Sequence, residues 1–129
     1  YGTVFTQPCM YHAMDNLGIA QYLSRIGLLL GATEALDAGK AAWMEGDAWQ
    51  GLRRYTEDCL VVRDPFELFV AQNVALDGLL YPLVYQGIVD DQFAAAGGSL
   101  VAMLTQFMTD WFAETESWMT GALVLNVAT

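Results

Sequence analysis

Histidine is nearly absent from this sequence: His12 is the only one in 129 residues, and Cys9 and Cys59 are the only cysteines. A zinc site takes four protein ligands, or three and a water, so any metal site would have to be completed by carboxylates. The two cysteines form no CxxC pair and no disulfide framework, and free thiols in a reducing cytoplasm are the simplest reading. Bases are scarce too, with five Lys and Arg against fifteen Asp and Glu and a formal charge of −10. That balance argues against nucleic acid, whose phosphates are held by Lys and Arg, and against anionic membrane surfaces. There is no GxSxG elbow, no phosphate-binding glycine loop and no dinucleotide fingerprint. Ser24, Ser99 and Ser117 have no histidine near them in sequence. The chain does not read as a catalyst in its own right.

What is abundant is apolar. Hydrophobic residues make up 55% and charged residues 16%, where an ordinary soluble domain has roughly 25% charged. Such a chain has too little polar surface to cover a free globule, and the excess should meet other protein. A membrane span needs about 20 mainly apolar residues. The longest uncharged run, Gln92 to Thr109, is interrupted by Gly97-Gly98 and Gln106, which argues against one. The sequence opens on Tyr1 without a polar lead-in, so residues 1–129 read as a single all-helical segment of a longer subunit.

The pattern is helical almost throughout. Residues 3–30 carry Phe5, Cys9, His12, Leu17, Tyr22, Leu23 and Ile26, with Pro8 and Gly18 read as breakers. Thr33 suits the N-cap of a short helix to Met44, and Asp47 with Gln50 is close to a capping box for a helix to about Val61. In "RDPFELFVAQNVALDGLLYPLVYQGIV", Asp64 caps, Pro65 takes the first helical position and Glu67 the first turn. The helix that follows, over about 65–90, is apolar on nearly every face, which reads as burial in a larger assembly. Pro82 should kink it, with Gly78 four positions earlier leaving room for the ring. "AAAGGS" at 94–99 reads as a loop with Ser99 as the next cap. Beyond it Leu100, Met103, Leu104, Phe107, Met108, Trp111, Phe112, Thr115, Trp118 and Met119 repeat at steps of three and four, with Gln106, Asp110, Glu114 and Ser117 opposite.

Two constellations invite a metal reading. Cys9 and His12 stack one turn apart in "CMYHAMD", the spacing of a ligand pair, but nothing near them completes a set, and packed core residues are the simpler reading. Inward carboxylates on long helices suggest a four-helix di-iron protein, which uses a Glu from each of two helices and Glu-x-x-His from each of two others. Glu67 and Asp77 lie on one helix and Asp110, Glu114 and Glu116 on another, yet no Glu-x-x-His occurs. These acids read as solvated, paired with Arg25, Arg53, Arg54 or Arg63, or placed at an interface. No catalytic, cofactor or metal residue is assigned.

Three stretches, "YGTVFTQPCMYHAMDNLGIAQYLSRIGL", "DPFELFVAQNVALDGLLYPLVY" and "MLTQFMTDWFAETESWM", resemble the beta subunit, the smaller ferritin-like one, of bacterial multicomponent phenol and toluene hydroxylases. The resemblance runs over nearly the whole chain, "GALVLNVAT" at the end being less typical. It implies an all-α, ferritin-like helical bundle of which this is part, with long helices, one of them proline-kinked. It further implies a non-catalytic structural role beside an alpha subunit that carries the di-iron centre. The assembly is then a dimer of alpha-beta-gamma protomers, served by a coupling protein and by a reductase that draws electrons from NAD(P)H. Phe107, Trp111 and Trp118 are the candidate contacts to alpha. Two other readings stay open: a ferritin-like oxidoreductase with its own di-iron ligands outside these residues, and an unrelated helical interaction module.

Overall fold

The computed structural model describes residues 2–127 and resolves into two compact units, Tyr1–Val61 and Val62–Thr129. The last two residues of "GALVLNVAT" lie outside the described part. Every element among the described residues is helical, as the all-α, ferritin-like reading requires.

The first unit holds α1 (Thr3–Glu45) and α2 (Asp47–Cys59). One face of α1 turns inward at steps of three and four, through half-buried Phe5, Cys9 and Asn16 and buried His12, Ile19 and Ile26. The helix breaks at Gly31 (φ −156°, ψ 26°) and Ala32 (φ 52°, ψ −150°), beside the boundary expected before Thr33. Thr33 does not cap a backbone amide, however; its hydroxyl donates to the Glu34 carboxylate at 3.3 Å. Ala32, and not the glycine beside it, takes the left-handed φ, a region that suits glycine because a Cβ is crowded there.

Between α1 and α2 the capping box read at Asp47 and Gln50 is not what forms. Gly46 is the cap and Asp47 already lies in the first turn. Gln50 reaches back instead, donating from Nε2 to the carbonyls of Trp43 and Gly46, both at 3.2 Å. Arg53 Nη1 donates to the Met44 carbonyl at 2.8 Å while its Nε pairs with Glu57 at 2.8 Å. The last carbonyls of α1 have no partner within their own helix, and a cation near that negative end is favourable. So α2 closes the end of α1, and the Trp43 and Trp49 rings, 6.4 Å apart, flank the corner. The helix stops at Cys59, two residues short of the expected Val61.

The second unit begins as the sequence indicates. Asp64 Oδ1 accepts from the amides of Phe66 and Glu67, both at 2.9 Å, and Pro65 opens α3 (Pro65–Phe69). Winding then alternates: a π-helical stretch over Val70–Leu76, α4 (Asp77–Tyr81), and a second π-helical stretch over Pro82–Gly98. Pro82 marks the second change. Its missing N–H costs an α-type bond, and with five-residue bonding steps the orphaned carbonyl can be served by the next N–H along. The ring does not depend on Gly78 for room, since a Cβ at Gly78 would meet nothing within 4 Å. The loop read at 94–99 is narrower than expected: helical winding runs through the alanines, good helix formers, and only Gly97 (φ 99°, ψ 2°) leaves it. There the chain turns into α5 (Ser99–Val127).

α5 runs antiparallel to the helix before it, pairing Trp118 with Phe69 and both Trp111 and Phe112 with Tyr81. By length and composition Pro65–Val124 contains a stretch apolar enough to cross a membrane, with a window of mean hydropathy 1.3. The Gly97 turn divides it, and Asn73 and Asp77 are buried within its first half.

The inward face of that first half holds Phe69, Asn73, Asp77, Tyr81 and Tyr85, all buried and four residues apart. A pure α-helix, at 3.6 residues per turn, would carry such a series steadily around its axis. π turns, bonded from i to i+5, hold more residues than α turns, so alternating the two keeps a series at steps of four on one side. The expected all-round apolar helix is therefore the reverse in part: Asn73 and Asp77 face in, while Leu79 and Leu83 are exposed.

Three backbone substitutions test these positions. Ala32→Gly should raise stability by about 1 kcal/mol, the relief of strain exceeding glycine's added chain entropy; urea denaturation of the variant reads this directly. Gly46→Ala should lower it by about 1–3 kcal/mol, since a Cβ there would lie 2.6 Å from the Ala42 carbonyl oxygen. Gly78→Ala should be neutral or gain up to about 1 kcal/mol from helix propensity, and the pair compared by thermal melts separates the two environments.

Candidate functional site

α1 places Cys9 and His12 one turn apart, His12 buried and Cys9 half-buried. The Asn16 amide Nδ2 donates to the His12 carbonyl at 2.9 Å and lies 3.2 Å from the same residue's Nδ1. A carbonyl only accepts, so this bond fixes which end of the Asn16 amide faces the imidazole. Burial pushes the Cys9 thiol above its ordinary pKa, which disfavours the thiolate that metal binding or nucleophilic attack needs. Among the described residues no three His, Cys, Asp or Glu side chains come close enough to hold a metal ion.

The carboxylates separate into two kinds. Glu67, Asp110, Glu114 and Glu116 are exposed. Asp77 is not: it is 5% exposed, which corrects the solvated alternative of its reading. It sits one turn after Asn73, whose Nδ2 is buried with no hydrogen-bond partner. Thr105, on α5, is the other buried polar residue of this unit, and its hydroxyl donates back to the Val101 carbonyl at 3.0 Å. Asn73 was missed by sequence reading because a 3.6-residue period does not group it with Phe69, Asp77, Tyr81 and Tyr85; a search at strict steps of four would have found it.

The three residues singled out on α5 divide. Trp111 and Trp118 are half-buried and their rings are engaged inside the unit, Trp111 at 5.3 Å from Tyr81 and Trp118 edge-on at 5.5 Å from Phe69. Phe107 is the exposed member. Tyr81 lies nearly parallel to Phe112, 5.2 Å away with 9° between planes, and 5.3 Å from Tyr85, whose hydroxyl pKa is raised by burial. Rings at 4.5–7 Å contribute about 0.5–1.5 kcal/mol per pair beyond the area they bury. This cluster is an aromatic core with no acid–base pair in it. A shallow groove on α1, about 540 Å³ and lined by Leu17, Ala20, Gln21, Ser24 and Arg25, likewise holds no nucleophile beside a base.

Long, apolar helices, with no strand among the described residues, are those of an all-α, ferritin-like protein, and the described residues bring no three metal-ligating side chains together. The chain belongs to the methane/phenol/alkene hydroxylase family, whose profile matches residues 1–128. It is 59% identical over 116 residues to the oxygenase component DmpL of a phenol 2-monooxygenase from Pseudomonas sp. (strain CF600), a match covering 88% of this chain and 35% of that protein. It is 48% identical over 120 residues to the oxygenase component MhpL of a phenol 2-monooxygenase from Acinetobacter pittii (strain PHEA-2), covering 92% of this chain and 36% of that protein. The chain thus spans about a third of the length of the curated relatives it matches. No solved structure matches it. The family implies a di-iron centre within the complex. Among the described residues no three His, Cys, Asp or Glu side chains gather into a ligand set for it.

The unpartnered Asn73 amide gives a stability test. Leaving a buried donor unsatisfied costs about 1–3 kcal/mol. Asn73→Leu, of similar size, should therefore stabilise the chain by about 1–2 kcal/mol in urea titration, whereas a loss would mean that the amide is held by a partner.

Proposed function

We propose that the chain is part of the non-catalytic beta subunit of the hydroxylase component of a multicomponent monooxygenase that hydroxylates phenol-like aromatic substrates. One observation carries the reading. In a family whose complexes work through di-iron, this segment keeps the helical scaffold, but its described residues gather no ligand set. The names of the relatives, both oxygenase components of phenol 2-monooxygenases, support the substrate class. On this proposal the alpha subunit holds the iron and binds the aromatic ring, a separate reductase supplies electrons from NAD(P)H, and a coupling protein joins them. The beta subunit, with gamma, braces alpha in a cytoplasmic dimer of alpha-beta-gamma protomers, without contact to membrane or nucleic acid.

The large apolar residues left exposed support a partner-dependent role. Met10, Met14 and Leu17 on α1, and Leu100 and Met103 on α5, lie open in the isolated chain, more apolar surface than a free domain keeps.

The test uses the full-length reading frame, expressed with and without the larger subunit encoded beside it. Alone, the subunit should form soluble oligomers visible by light scattering, kept from precipitating by its acidic charge. Together the two should co-purify, with iron found in the partner after the chains are separated, and phenol hydroxylation should need both. His12→Ala should leave the activity of a correctly assembled complex largely intact. A well-behaved monomer that hydroxylates phenol unaided would sink the proposal, as would about two irons in each isolated chain or an assembled but inactive His12→Ala complex.

A further inference from the structure

We draw no further inference here: the strongest candidate, the exposed face of α5 that runs from Leu100 and Met103 to Asp110 and Glu114, carries none, because nothing in the structure shows what covers it.

Discussion

The second unit depends on one geometric requirement: residues four apart must stay on one side of a helix for the length of its partner. Phe69, Asn73, Asp77, Tyr81 and Tyr85 meet it only because wide and ordinary turns alternate along Pro65–Gly98. Each π stretch gives up some hydrogen-bond geometry. In return, Tyr81 stands between Tyr85, Trp111 and Phe112, and Phe69 meets Trp118. Pro82 belongs to the same solution, since it falls where α winding ends and the bond it cannot donate is least missed.

This requirement also explains what could be read from the sequence and what could not. Helix starts depend on local chemistry, and Asp64-Pro65 was legible because its cap is made within three residues of itself. The Gly97 corner was legible from its paired glycines, and the break before Thr33 was placed although the Thr33 cap that suggested it does not form. The Gln50 and Arg53 bonds were not: they run back seven and nine residues into the preceding helix, and nothing in a capping pattern distinguishes a side chain that caps its own helix from one that caps its neighbour. The apolar stripe on α5 was read too broadly, because periodicity collects Leu100, Met103 and Phe107 with Met108 and Phe112 although only the latter two are buried. On α4 and its π neighbours the error had the opposite sign, a 3.6-residue period having hidden the inward polar pair.

For the candidate site, the sequence was informative about composition and silent about placement. One histidine and no Glu-x-x-His are visible without coordinates, and they bear most directly on whether this segment can supply metal ligands. Where His12 goes is a tertiary fact. Its partner, Asn16, is a helical neighbour one turn on, a pairing that sequence permits but does not require. The exposed carboxylates of α5 were recognised as a polar face; their continuity with an equally exposed apolar run emerged only from burial.

The turn at Gly97 also bears on how this unit acquires its shape. Contacts across a helical hairpin close loops that grow with distance from the corner. Tyr81 to Trp111 encloses about 30 residues and Phe69 to Trp118 about 50, a difference in closure entropy of only about 0.5 kcal/mol by chain statistics. The outer ring pair therefore adds little entropic resistance once the inner one has formed, and assembly is favoured to proceed from the corner outward like a zip. Topologies dominated by such near-neighbour contacts fold quickly. A chain with this much exposed apolar surface gains from having its interior settled first, since the time spent with both surfaces open is when aggregation competes.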